Sequence, residues 1–261
     1  MTRVLAVPRI EQVLAFCAED PVERVFLEDV ARRGLGRFVA VERDDGSLTA
    51  LCHAGANIVP SGEGCAAFGP AAVRARARMI IGAERAVGDL WEAARDLLPE
   101  PRDDRPGQPV YVLREPPEPG ETGLRAAVAD DLALLVPACA AAHFEELGID
   151  PLARDPEGFR RRTRVQIEEG RSWLWEEHGV IRFKAEASAW TPAAVQLQQV
   201  WADPAARGRG YARRGLRDLC RVLLADTPAV CLFVRPENDR AIRLYDAIGM
   251  HRQGAYRSLV F

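Results

Sequence analysis

The chain has 261 residues, 48% of them apolar and 28% charged, with a formal net charge of −3 at neutral pH. That length suits two domains of moderate size, and the apolar share excludes an intrinsically disordered chain. The slight acidity gives no general pull toward nucleic acid or anionic membrane. No apolar run reaches the length of a membrane span, and the N-terminus lacks the pattern of a signal peptide.

In chain order, residues 4–7 read as a strand and residues 10–17 and 22–33 as helices. Residues 38–42 and 47–53 form a predicted hairpin around Asp44-Asp45-Gly46. A short strand at 65–68, a helix at 71–78, a strand at 79–81 ended by a turn at Gly82, and a helix at 84–97 follow. Residues 98–119 are dense in proline and charge and read as a linker interrupted by one strand at 109–114. The expected boundary lies near Pro117, dividing the chain into units 1–117 and 118–261.

The second unit opens with a strand at 124–128. Asp130 is expected to cap a helix running to Leu147, interrupted or kinked at Pro137. A helix at 157–169 carries Arg160, Arg161, Arg162 and Arg164, read as a solvated face rather than a lure for an acidic ligand. Strands at 172–176, 180–187 and 195–202 come next, then a helix at 210–224, a strand at 229–234, a helix at 239–248 and a strand pair at 251–261. The first unit follows a comparable order, which points to a duplication of fold rather than of sequence.

Six cysteines (Cys17, Cys52, Cys65, Cys139, Cys220 and Cys231) are scattered without a Cys-x-x-Cys pair. They read as reduced core residues of a cytoplasmic protein. The four histidines are isolated, so no metal site is expected.

One turn carries chemistry. The strand 195–202 ends before Asp203-Pro204, and Arg207-Gly208-Arg209-Gly210-Tyr211-Ala212 opens directly onto a helix. The first turn of a helix has unpaired N–H groups and the positive end of the dipole. Glycines let phosphate oxygens approach the backbone, and arginines stay charged at any working pH. Downstream, Asn238 stands at a helix N-cap position, and Tyr245 lies two turns further along the same face.

Arg207, Gly210 and Ala212 fit the Gln/Arg-x-x-Gly-x-Gly/Ala pattern, and with Asn238 and Tyr245 in register the second unit resembles the GNAT N-acetyltransferases. The whole chain resembles a two-part bacterial subfamily with an uncharacterised domain ahead of the GNAT domain. The resemblance implies a mixed-sheet GNAT fold over 118–261, preceded by a degenerate GNAT-like α/β unit. It implies acetyl-CoA as co-substrate, held by Val200, Trp201, Ala202, Arg207, Gly208, Arg209, Gly210, Tyr211, Ala212 and Asn238. Tyr245 would protonate the departing thiolate.

Many relatives carry a glutamate on the strand before the phosphate turn; here it reads Val195-Gln196-Leu197-Gln198-Gln199. Glutamine takes no proton at neutral pH, so base candidates are Glu145 and Glu146, or Glu186 on the preceding strand, or water alone. Lys184, the only lysine, stands as a candidate for self-acetylation. The expected activity is direct acetyl transfer to a small-molecule or protein amine, with no nucleic acid or membrane partner. The alternative is a non-catalytic acyl-CoA-binding regulator. The first unit, without an Arg/Gly turn or an Asn…Tyr helix, reads as a packing or homodimerisation module.

Overall fold

The computed structural model describes residues 3–261. Met1 and Thr2, where the expected first unit begins, lie outside the described residues. The first half runs β1 (Arg3–Leu5), α1 (Ile10–Glu19), α2 (Val25–Arg32), β2 (Phe38–Glu42), β3 (Leu48–Ala54), β4 (Asn57–Gly62), α3 (Gly69–Ala75), β5 (Met79–Ala83), α4 (Glu84–Ala94) and β6 (Asp103–Leu113). The second runs β7 (Arg125–Ala126), α5 (Leu132–Leu147), α6 (Pro151–Arg154), α7 (Pro156–Glu168), β8 (Ser172–Glu177), β9 (Val180–Trp190), β10 (Val195–Ala202), α8 (Tyr211–Leu224), β11 (Val230–Phe233), α9 (Asp239–Ala247) and β12 (His251–Val260).

The described strands form one sheet of twelve, in the order β1-β2-β3-β4-β5-β12-β6-β11-β10-β9-β8-β7. That order repeats the same plan twice. In each half helices follow the first strand (α1 and α2 in the first, α5 to α7 in the second), three antiparallel strands come next, and a helix leads to a parallel fifth strand. Each half then contributes its last strand across the middle: β12 pairs with β5, β6 pairs with β11, and β6 and β12 pair with each other. The expected two-part mixed α/β architecture is present, as two halves that exchange their closing strands.

Several elements differ from expectation for identifiable reasons. The linker strand is not a short interruption but the eleven-residue β6, and its last six residues are buried. Its prolines suggested a linker because proline cannot donate to a ladder. They are tolerated because β6 and β12 slip register between Tyr256 and Ser258, opposite Pro106-Gly107, and because Pro109 precedes the segment that pairs with β11. Residues 65–68 form a 3₁₀ turn, not a strand; Gly64 before them is left-handed at φ 95°, which coils this apolar stretch. Residues 57–62, not assigned to an element from sequence, form β4.

Gly82 lies within β5 rather than in a turn. A Cβ there would come within 2.8 Å of the Pro60 carbonyl, so glycine serves the approach of β4. Residues 251–261 contribute one strand, β12, rather than a pair, with register shifts against β6 between Arg252 and Gly254 and between Tyr256 and Ser258. Asp131, not Asp130, organises the start of α5: it accepts from Val128 N at 2.8 Å and from the Arg125 guanidinium at 2.6 and 2.8 Å. These contacts, with the Arg125 hydrogen bond foremost, hold its carboxyl below the usual aspartate range. Pro137 lies inside α5 without dividing it. The arginines of α7 are exposed, and Arg162 pairs only with Asp155 at 3.4 Å.

All six cysteines are free and buried. Among the described residues no helix is long and apolar enough to cross a membrane. Two apolar clusters flank the second half of the sheet: one under α8 and α9 around Phe183, Leu216 and Leu219, the other under α5 and α7 around Leu135, Leu174 and Ile181.

Charge also joins the halves. Arg171, before β8, donates to both carboxylate oxygens of Asp29 on α2 at 2.7 and 3.1 Å, and both residues are buried. Breaking a buried pair is costly because a charge loses its closest partner, and without Arg171 Asp29 would keep only the longer contact to Arg33 at 3.6 Å. We therefore expect Arg171→Met to destabilise the chain by about 3–5 kcal/mol in urea unfolding. The double variant Asp29→Leu/Arg171→Met should recover most of that loss. Equal losses in single and double variants would show that the pair does not couple the halves.

Candidate active site

The site begins where two parallel strands part. β10 and β11 pair only at Val195–Val230 and Gln196–Cys231. From Leu197 onward the β11-facing edge of β10 has no strand partner among the described residues. On its other side β10 carries a bulge against β9: Gln198 pairs with Glu186, and the next aligned pair is Trp201 with Lys184. Three steps on β10 thus face two on β9. An open strand edge of this kind can take up an extended ligand arm through backbone hydrogen bonds.

The turn after β10 has features that can hold an anion. Asp203 fixes its start: one carboxylate oxygen accepts from Ala205 N at 3.0 Å and the other from Arg182 at 2.7 Å. Gly208 and Gly210 are left-handed at φ 78° and 84°, a conformation glycine takes without strain, and Gly210 caps α8. The backbone N–H groups of Gly208, Gly210, Tyr211, Ala212 and Arg213 have no hydrogen-bond partner among the described residues. All five residues line a cavity of about 920 Å³ that also touches Val200, Trp201 and Ala202 of β10 and Asn238 and Tyr245 of α9.

The structure thus gathers all the sequence-nominated binding residues around one cavity, together with Tyr245 and Glu145. Glu146 is absent from the lining; its carbonyl accepts from Arg235 at 2.6 Å. Glu145 does not stand free: both its oxygens accept from Arg207 Nη2 at 2.6 Å, and Trp201 Nε1 donates to it at 3.2 Å. The Tyr211 hydroxyl donates to Glu177 at 2.8 Å, and the Asn238 side chain accepts from Ala241 N at 3.1 Å, capping α9.

Tyr245 is 6% exposed, packs against Tyr111 at 5.5 Å between ring centroids, and its hydroxyl has no hydrogen-bond partner among the described residues. Burial first, then the charge of Glu146 and the neighbouring Cys220 and Tyr111, push its ionisation far above the usual tyrosine value. Its hydroxyl keeps its proton through the working pH range.

Glu186 lies outside this cavity, bound to Lys184 at 2.5 Å. Lys184 is fully buried. Desolvation alone would lower its pKa, but Glu186 and Cys139 more than reverse that, so the amine stays protonated. A buried ammonium is no nucleophile, which removes the expectation of self-acetylation at this residue.

Arg213, Arg240 and Arg243 also line the cavity and were not nominated from sequence. Arg240 and Arg243 are three apart on the exposed side of α9, and that spacing was the available signal.

The first half departs from this arrangement at each matching position. β4 and β5 also pair at only two places, but the turn after β4 reads Glu63-Gly64-Cys65-Ala66, without arginine, and Pro70 removes an N–H at the start of α3. Counting from the helix N-caps, Ala83 stands where Asn238 does and Leu90 where Tyr245 does. Ser61 of β4 donates to Glu23 at 2.6 Å and accepts from Arg24 at 3.1 Å, so the α1–α2 connection ties down that strand.

The free N–H groups and arginines of the second half should bind inorganic pyrophosphate. At a hundredfold excess over its Kd, bound pyrophosphate should stabilise the chain by about 2.7 kcal/mol, read as a rise in melting temperature. The double variant Arg207→Gln/Arg209→Gln should lose most of that rise. An equal rise in both proteins would place the anion elsewhere.

Comparison with known proteins gives likenesses of family and of fold. Residues 141–250 match the model of the acetyltransferase (GNAT) family, and residues 36–135 match a domain of unknown function, DUF4081. A stretch of 66 residues is 39% identical to the N-alpha-acetyltransferase RimI of Mycobacterium tuberculosis, covering 25% of this chain and 40% of that one. A GNAT-family acetyltransferase from Colwellia psychrerythraea shares the fold at a TM-score of 0.60 with 10% identity, over 99% of each chain. A GCN5-related N-acetyltransferase from Sphaerobacter thermophilus does so at 0.60 with 18% identity, over 98% of this chain and 94% of that one. A tandem GNAT protein from the clavulanic acid biosynthesis pathway covers 100% of this chain and 98% of its own at 0.55 and 12% identity. The matched stretch 141–250 includes the turn at 207–212 and the Asn238…Tyr245 helix, so the part of the chain that lines the cavity is the part that is similar to the acetyltransferase (GNAT) family.

Proposed function

We propose that this chain transfers the acetyl group of acetyl-CoA to an amine acceptor by direct attack. The observation that carries the reading is the set of five unpartnered N–H groups beside the open edge of β10, within one cavity. Acetyl-CoA supplies an activated acyl group and a diphosphate. The donor set suits it: the N–H groups of 208–213 with Arg207 and Arg209 for the diphosphate, the backbone of Val200, Trp201 and Ala202 for the extended arm, and Asn238 at the start of α9. A backbone N–H near Val200 would polarise the thioester carbonyl, as an oxyanion donor does. The Tyr245 hydroxyl would hold a proton at Oη for the leaving sulfur.

For the acceptor amine, Glu146 is the preferred base, because Glu145 is held by Arg207 and Glu186 by Lys184, and the Glu146 charge is felt at Tyr245. Glu145 becomes available only if diphosphate draws Arg207 away from it. We propose the division at 117/118 as the limit of the catalytic unit along the chain, with the first half a packing or dimerising module that binds no CoA. Acceptors are small-molecule or protein amines, without nucleic acid or membrane, and the free buried cysteines suit a cytoplasmic setting. The likeness to an N-alpha-acetyltransferase makes peptide α-amines the first class to test.

A second reading, a non-catalytic acyl-CoA-binding regulator, draws on the glutamines of β10 and on Glu145 held by Arg207. Acetyl-CoA turnover with peptides, aminosugars and small amines separates the two. Acceptor-dependent release of CoA is the expected result. Tight acetyl-CoA binding without turnover across the panel would favour the regulator.

With an accepted amine, Tyr245→Phe should keep acetyl-CoA affinity and lower kcat by about 10²–10⁴-fold. Because burial raises the Tyr245 ionisation, wild-type kcat should show no loss from that group up to about pH 10. Wild-type turnover by Tyr245→Phe would reduce the residue to a packing role.

A further inference from the structure

A buried polar cluster beside the cavity has no role in the reading above. Lys184 Nζ on β9 donates to Glu186 Oε1 at 2.5 Å, to Cys139 Sγ of α5 at 3.2 Å and to Gln199 Oε1 of β10 at 3.2 Å. The Cys139 thiol donates to the same Glu186 oxygen at 3.2 Å, and Gln198 Nε2 donates to the other at 3.3 Å. Lys184 is 0% exposed and Glu186 8%, and the cluster adjoins the apolar layer of Leu135, Val136 and Ile181.

Apolar side chains of similar volume would hold α5 against β9 at least as firmly as a buried ion pair does. What such a pair adds is a fixed geometry for the groups that complete its hydrogen bonds. Here those groups are the two glutamines of the β10 bulge. Gln198 pairs in register with Glu186, whereas Gln199 falls in the bulge and reaches Lys184 only through its side chain; its φ of 51° lies in the left-handed region that disfavours side chains other than glycine, Asn and Asp. A strained residue persists where its surroundings over-determine it, and such residues gather at functional sites. The residue that follows, Val200, lines the cavity.

We propose that Gln199 and Lys184 are positioning residues: the buried Lys184–Glu186 pair, acting through Gln199, locks the β10 bulge in the backbone conformation that receives the acetyl carbonyl. The proposal rests on the acetyltransferase reading and adds the device that holds its carbonyl-polarising backbone in place. It predicts that the cluster distinguishes acetyl-CoA from free CoA and affects kcat more than KM, because the diphosphate turn is held separately by Asp203.

The test uses the full chain with Gln199→Asn and Gln199→Glu, read by calorimetry with acetyl-CoA and with CoA. Asn tolerates the left-handed backbone but is too short to reach Lys184, whereas Glu keeps an acceptor at the same reach. Wild type should bind acetyl-CoA more tightly than CoA. Gln199→Asn should bring the two affinities within twofold of each other while leaving CoA affinity and melting temperature unchanged, and Gln199→Glu should restore the difference. With an accepted amine, Gln199→Asn should lower kcat at least tenfold at constant KM for acetyl-CoA.

Equal weakening of both ligands, a fall in melting temperature that accounts for the change, or no effect in Gln199→Asn would each overturn the proposal. So would a wild type that binds both ligands equally. Failure of wild type to bind either ligand would instead remove the acetyltransferase reading itself. Lys184→Arg serves as a second variant: retained discrimination with Gln199 intact is expected, and its loss in a stably folded protein would contradict a role carried by the cation.

Discussion

The site depends on an imbalance in how β11 is held. On one side β11 pairs with β6 at four successive positions, from Val230–Leu113 to Phe233–Val110; on the other it meets β10 at two. Backbone pairing therefore keeps β11 with the centre of the sheet while β10 stays with β9, and the strands must part after Gln196. The opened edge, the bulge at Gln199 and the cavity under α8 and α9 all follow from that divergence. Because β6 comes from the first half, that half helps shape a cavity to which, among the described residues, it contributes no lining residue.

This arrangement also explains how one sheet serves two halves with different roles. Exchange of β6 and β12 satisfies the backbone of both inner strands and leaves no sheet edge where the halves meet. Each half retains the parallel pair that parts early. Only the second carries glycines and arginines where a helix begins, and only the second places a tyrosine on the following helix. In the first, Leu90 and the hydrogen-bonded Ser61, Glu23 and Arg24 occupy the comparable places. The Asp29–Arg171 pair then ties α2 to the second half.

Much of this was legible from residue patterns, for physical reasons. The phosphate turn is local: strand, glycines and helix start lie within about a dozen residues, so their chemistry survives in the linear text. The Asn238…Tyr245 spacing is likewise a property of one helix. What could not be read depends on contacts distant along the chain. The prolines of β6 pointed to a linker because their tolerance comes from slipped pairing with β12, well over a hundred residues away. Gly82 resembled a turn because its need for space arises at Pro60. Glu145 looked free because its partner Arg207 follows 62 residues later. Lys184 looked like an accessible amine because nothing local announces that Cys139 and Gln199 enclose it.

The central claim is that one half binds acetyl-CoA along β10 and the start of α8 while its counterpart does not. Hydrogen–deuterium exchange of the full chain with and without acetyl-CoA tests it most directly. The account predicts slowed exchange at residues 197–202 and 208–213, with residues 57–70 unchanged. Protection at 57–70, or none at 208–213 under saturating ligand, would contradict it.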